Sequence, residues 1–279
     1  MAVLKTLLFK VAPWLLGVYL LAMIVLYFKQ TSFLFHPKRS PNHTRYDFHN
    51  NYEEIYVPTA QGNDSLHTVL FKTNRHSKGV IFFLHGNMRS MERWGKLSEV
   101  FNPMGYDFWV VDYRGYGKSE GKLSEEEQLH DDMERVFHVV RERYGDKITL
   151  MGFSIGTGPT ARLGSEHDIQ RMILMAPYFS VRQLVQERVP LAPAFLVKFP
   201  LKTYEWLPEV KAPIMIIHGD KDKVIPFRHG VELSRLLKPG DRFIRIPGQG
   251  HHEMLKNKKV VEAIRDFLDV QPINDLNHT

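Results

Sequence analysis

Residues 148–156 read Ile-Thr-Leu-Met-Gly-Phe-Ser-Ile-Gly. The first four predict a strand covered on both faces, and the glycines flanking Ser154 predict a sharp turn out of it. Small residues follow (Thr157-Gly158-Pro159-Thr160-Ala161), so the context is strand, turn, helix. A serine on such a G-x-S-x-G turn stands on strained backbone with its oxygen above the sheet edge. Glycines two before and two after let strand and helix approach without side-chain clashes.

Apolar runs of the same type recur at 80–84, 108–111, 172–175, 214–217 and 243–246. Residues 52–57 and 66–72 predict a hairpin turning around Gly62-Asn63-Asp64. Helical stretches lie between the runs. Over 125–144, Leu129, Met133, Val136, Phe137, Val140 and Tyr144 fall at steps of three and four, one apolar helix face. Ser124 and Glu127 predict a capping box at its start. Shorter helices are expected over 227–237 and 260–268. Strands alternating with helices imply an α/β fold, a mostly parallel sheet with helices on both faces. Four prolines between 178 and 210 (Pro190, Pro193, Pro200, Pro208) interrupt the alternation, and a small helical lid is expected there.

A serine hydroxyl needs a base to take its proton. The strand at 214–217 is followed by His218-Gly219-Asp220-Lys221-Asp222, and that at 243–246 by Pro247-Gly248-Gln249-Gly250-His251-His252-Glu253. Acid and histidine thus occur after later strands, in the order Ser, Asp, His, at the sheet edge where open α/β sheets bind ligands. His85-Gly86-Asn87 follows the strand at 80–84. Acyl transfer builds charge on a carbonyl oxygen, which preorganised backbone N–H groups must meet. Ile155, beside the nucleophile, and Asn87, or else Met88, are the expected donors.

These residues, with Asp112-Tyr113-Arg114-Gly115-Tyr116-Gly117-Lys118-Ser119 and Gly219-Asp220-Lys221-Asp222-Lys223-Val224-Ile225-Pro226, resemble α/β-hydrolase domain proteins. They are most similar to the BEM46-like branch of membrane-anchored serine hydrolases. The resemblance covers roughly residues 50–270, and the apolar N-terminus before Phe33-Leu34-Phe35-His36-Pro37 is also similar to that branch. It implies Asp222, not Asp220, as the acid, because the family acid closes G-x-x-D ahead of a V/I-P pair. It implies His251, not His252, because the family histidine directly follows a glycine. His252 stands where this branch often has Asn.

Residues 11–28 form an uncharged run between Lys10 and Lys29. At 1.5 Å per residue it rises about 27 Å and can just cross a hydrocarbon core of about 30 Å. The run is longer than a signal-peptide core and is followed by no small-residue cleavage site. A single-pass membrane anchor is therefore expected. Its orientation stays open, since basic residues flank both ends. Lys5, Lys10, Lys29, Lys38, Arg39 and Arg45 have no acidic counterpart before residue 46; setting them aside leaves 31 basic residues against 31 acidic ones. The charge excess suits lipid headgroups and argues against nucleic acid. With no cysteine in the chain, disulfides, thiolate catalysis and cysteine metal sites are excluded.

The expected organisation is an anchor over 1–30, a linker over 31–50, a catalytic domain over 51–270 with a lid around 178–210, and a tail over 271–279. The expected activity is hydrolysis of esters or thioesters through an acyl-enzyme on Ser154, His251 and Asp222, with no cofactor. Lipids or acylated small molecules or proteins are the expected substrates. A serine peptidase and a non-catalytic membrane scaffold are the alternatives, and the oligomeric state is open. His130-Asp131-Asp132 is expected on a solvated helix face, and His251-His252-Glu253 lacks the usual zinc spacing. Asn42, Asn63 and Asn277 open glycosylation-type triplets.

Overall fold

The computed structural model describes residues 2–60, 62–88 and 91–270; the tail expected over 271–279, with the Asn277 triplet, lies outside them. A long apolar helix, α1 (Ala2–Leu34), leads into the domain. Its run between Lys10 and Lys29 is largely exposed, Trp14, Leu15 and Phe28 most of all. Among the described residues it is the one helix long and apolar enough to cross a membrane. Such a surface is stable only in lipid, and α1 is the chain's single-pass membrane anchor.

The domain is built on one sheet of β1 (Tyr52–Pro58), β2 (Ser65–Phe71), β3 (Val80–Leu84), β4 (Asp107–Val111), β5 (Ile148–Phe153), β6 (Arg171–Met175), β7 (Ile214–Gly219) and β8 (Arg242–Ile246). Their order is β1-β2-β4-β3-β5-β6-β7-β8. β1, β2 and β4 pair antiparallel; every later pairing is parallel. This meets the expectation of a mostly parallel sheet. The alternation of side chains explains why the strands read as continuous apolar runs. Val80, Phe82 and Leu84 join one core layer, and Ile81 and Phe83 join the other.

The first layer packs under α2 (Glu126–Tyr144) and α3 (Thr157–Glu166), the second under two short helical turns (Met91–Trp94, Ser98–Phe101) and a C-terminal helix, α6 (Lys258–Asp269). Between β6 and β7 lie α4 (Val181–Arg188), a turn at Ala194–Leu196 and a short helix at Thr203–Trp206. α5 (Phe227–Ser234) follows β7.

Three local expectations need correction. No side chain caps α2 in the expected way: Gln128 Oε1 takes the Ser124 N–H at 3.0 Å, while Glu127 binds Arg162. The His130-Asp131-Asp132 face is not solvated throughout. His130 and Asp132 are buried, His130 against Trp206 and Asp132 in a two-point bond with Arg114 at 2.6 and 2.8 Å. A charged helix face hid them because their partners, Trp206 and Arg114, come from other segments of the chain. The stretch 31–50, expected as a linker, lies against the domain: Phe35 and Tyr46 are buried, and short bridges join His36 to Met88 and Arg39 to Gly117.

Candidate active site

β5 ends at Phe153, and the chain turns at once through Ser154–Gly156 into α3. Ser154 has φ +55°, a conformation that a residue with a Cβ adopts only at a cost and that lifts its side chain out of the turn. The flanking glycines have a steric reason. A Cβ on Gly156 would lie 2.2 Å from the Leu84 carbonyl oxygen, and one on Gly152 would lie 2.4 Å from Thr160 Oγ1. Strand β3 and helix α3 therefore close on the turn from both sides.

His251 and Asp222 reach this point from the ends of β8 and β7. His251 Nε2 lies 2.9 Å from Ser154 Oγ, and His251 Nδ1 lies 2.7 Å from Asp222 Oδ2. The carboxylate only accepts, so Nδ1 carries the proton and Nε2 is left to accept the serine hydroxyl. The other carboxylate oxygen accepts the Val224 and Ile225 N–H groups, each at 2.8 Å, which fixes the acid's direction. Burial works against ionisation of Asp222. The His218 and His251 rings and these backbone donors outweigh it and hold the carboxyl well below its ordinary range. Ser154, Asp222 and His251 are 6%, 8% and 6% exposed, so the hydrogen-bonded run is screened from bulk water. The neighbouring candidates are engaged elsewhere. Asp220 binds Arg245 and the Gly248 N–H, and the exposed His252 ring stands edge-on to His251.

The His85–Asn87 loop lies on the same sheet edge, because β3 and β5 are parallel neighbours with Leu84 opposite Gly152. A Cβ on Gly86 would touch the Phe153 ring at 3.0 Å and Ser154 Cβ at 3.5 Å, so this backbone passes directly beside the serine. The loop's carbonyls are turned and held: Gly86 O meets His85 Nδ1 at 2.6 Å, and Asn87 O accepts the Tyr116 hydroxyl at 2.6 Å and the His36 N–H at 3.1 Å. In a trans peptide the next N–H points opposite to the carbonyl, so these bonds set the directions of the Asn87 and Met88 N–H groups.

The braces of this loop escaped the sequence reading of roles. Tyr113 donates to the His85 carbonyl at 2.8 Å. Asp112 is fully buried, 3.5 Å from His85 Nε2 and 3.7 Å from His67 Nδ1. Asp112, Tyr113 and Tyr116 belong to the Asp-Tyr-Arg-Gly-Tyr-Gly stretch after β4, a signal that marked kinship without indicating what each side chain holds. Among the described residues no group of three metal-ligating side chains converges.

Comparison with known proteins agrees with this geometry. A family model described as serine aminopeptidase, S33, matches residues 75–209, a span that holds Ser154 and stops short of the acid and the histidine. Alpha/beta hydrolase domain-containing protein 17C of Xenopus laevis is 30% identical over 232 residues, 77% of this chain and 69% of the relative. Alpha/beta hydrolase domain-containing protein aho-3 of Caenorhabditis elegans is 28% identical over 238 residues, 79% of this chain and 67% of the relative. Among solved structures, an esterase of Pyrococcus furiosus superposes with a TM-score of 0.67 at 19% identity, covering 84% of this chain and 96% of the esterase. Est1E of Butyrivibrio proteoclasticus with ferulic acid bound gives a TM-score of 0.63 at 18% identity, covering 77% of this chain and 97% of that one. At these identities the two structures show a shared fold.

Proposed function

Starting from a chain that belongs to the α/β-hydrolase domain-containing protein family, we propose a membrane-anchored serine hydrolase that cleaves ester or thioester bonds through an acyl-enzyme on Ser154. His251 takes the serine proton as Ser154 attacks the carbonyl carbon, then returns it to the leaving group. Water then attacks the acyl-enzyme carbonyl; His251 takes the water proton and returns it to Ser154 Oγ as the acid product leaves. Asp222 orients the imidazole and stabilises its charged form. The Ile155 and Asn87 N–H groups meet the oxyanion, with the start of α3 adding its positive end.

The observation that carries this reading is the buried run Ser154–His251–Asp222, with contacts of 2.9 and 2.7 Å. The Gly86 backbone beside Ser154 supports the oxyanion role. Within the family we place the chain in the BEM46-like branch, for the motifs quoted above. The working organisation is an anchor over 1–30, a joining stretch over 31–50 and a catalytic domain over 51–270. An active site tethered at the bilayer favours lipids or acylated proteins as substrates. The description of the matching family model favours a peptidase as the second reading.

The test is a panel of ester, thioester and amide substrates of varied acyl length, run with wild type and Ser154→Ala, alongside fluorophosphonate labelling. Labelling and ester or thioester turnover, both lost in Ser154→Ala, are expected. Turnover of amides alone would select the peptidase. Absence of labelling in wild type would leave a non-catalytic scaffold.

A further inference from the structure

We propose that the lid segment 189–197 is itself inserted in the bilayer beside α1, making the lid a second membrane-embedded element. The segment reads Val-Pro-Leu-Ala-Pro-Ala-Phe-Leu-Val and is uncharged, with Arg188 before it and Lys198 after it. Leu191 is 76% exposed and Phe195 is 83% exposed. In water so apolar a surface is unfavourable; in a bilayer it is the ordinary outward face.

What identifies lipid as the occupant is continuity with the anchor. The Tyr19 hydroxyl donates to the Leu191 carbonyl at 3.0 Å. Eleven residues further along α1, the buried Gln30 donates to the Leu196 carbonyl at 2.6 Å and accepts the Lys198 N–H at 2.8 Å. The lid thus runs along α1 for roughly 16 Å. Tyr19 lies inside the uncharged run that ends at Phe28, so a lid tip held at its level sits on the order of 13 Å past that end, within the thickness spanned by the anchor.

Part of the segment's backbone suits such a place. Non-helical chain at membrane depth needs its polar groups satisfied internally or by a neighbouring element. The Val189, Ala192, Leu196 and Val197 N–H groups bond to carbonyls within the lid, and Pro190 and Pro193 have none to satisfy. The Leu191 and Leu196 carbonyls are taken by α1. The two flanking cations are held by protein groups: the Arg188 guanidinium donates to the Val224 carbonyl at 2.6 Å, and Lys198 Nζ rests 4.2 Å over the Tyr27 ring, at the end of the uncharged run where headgroups lie.

This inference rests on the anchor reading, and the experiment separates the two. The chain has no cysteine, so single Leu191→Cys, Phe195→Cys, Leu21→Cys and Glu142→Cys variants each carry one environment-sensitive fluorophore. Each is reconstituted into phosphatidylcholine–phosphatidylserine vesicles, then probed with nitroxide-labelled lipids and with aqueous iodide. At 191 and 195, as at 21, a blue shift and loss of emission to the lipid quencher are expected, with protection from iodide. Position 142, on the exposed side of α2, should respond to iodide alone. The proposal is overturned if 191 and 195 respond to iodide while 21 responds to lipid. A blue shift at 191 and 195 insensitive to both quenchers would mean a protein partner or a second copy covers the lid, and overturns it as well. If position 21 also responds only to iodide, the anchor reading falls and this one with it.

Discussion

The sheet edge around Ser154 and the lid beside α1 are held by different means. At the sheet edge Ser154, Asp222 and the His85–Asn87 loop follow buried strands and His251 follows the half-buried edge strand β8, and parallel pairing sets where the ends lie. Direction is then set by single hydrogen bonds between groups that water does not reach. The lid is made of short helical pieces and prolines. It leans on α1 through Tyr19 and Gln30 and leaves Leu191 and Phe195 uncovered. Chemistry is fixed by the interior of the protein, whereas under the proposal above the lid's apolar surface is completed by lipid.

The strongest way to break this contrast is at the edge itself. Ser154→Ala or His251→Ala should lower turnover by roughly 10⁴-fold or more while the chain stays folded and membrane-bound. Near-normal rates in either variant would remove the assignment. Asp222→Asn should cost on the order of 10³–10⁴-fold, because an amide at that place no longer selects the Nδ1–H tautomer. Asp222 also carries a pH signature. Its carboxyl is held below the ordinary value, so its contribution to stability is complete above the unfolded-state value of about 3.9 and is lost as pH falls through the lower folded-state value. Thermal melting from neutral to strongly acidic pH should show wild type ahead of Asp222→Asn at neutral pH, with the gap closing only at the acid end.

Gly156→Ala puts a Cβ 2.2 Å from the Leu84 carbonyl oxygen, and backbone on both sides cannot yield cheaply. A loss of about 1–3 kcal/mol is expected in chemical denaturation. Phe195→Ala, in the lid, should change the stability of the detergent-solubilised protein by no more than about 0.5 kcal/mol. Comparable losses at the two sites would erase the distinction. Gln30→Ala strands the Leu196 carbonyl and the Lys198 N–H, at a cost of about 1–3 kcal/mol felt locally. Hydrogen exchange should quicken across 189–198 and stay slow in β5 and β7. Tyr116→Phe loses the bond to Asn87 O and the bond from the His36 N–H, each worth about 1 kcal/mol. A several-fold drop in kcat with KM unchanged would mark it as a positioning residue for the oxyanion loop; no change in kcat would reduce it to a packing role.

How legible each part was follows from where its determinants lie. The strand at 80–84 was readable to the residue, because burial on both faces leaves only apolar side chains. The turn at Ser154 was readable because two glycines in five residues record a close approach. The short helical turns between 91 and 104 left no periodicity, and Gln30, Asp112 and His130 looked like ordinary polar residues. Their roles depend on partners far along the chain: Gln30 meets Lys198, Asp112 meets His67 and His85, His130 meets Trp206. The choice between Asp220 and Asp222, or between His251 and His252, was likewise beyond the local pattern and came from resemblance.

The sequence by itself determined the membrane run, the strand–helix alternation and the strained turn that presents Ser154. Each follows from local chemistry: how a short stretch partitions between water and an apolar phase, and which backbone angles its side chains permit. Only the tertiary structure decided that Ser154 and His251, 97 residues apart, meet at 2.9 Å, and that the lid lies along the anchor. Contacts of that kind form only when the folded core has already met the entropy of closing the loops between them, so no stretch of neighbouring residues records them.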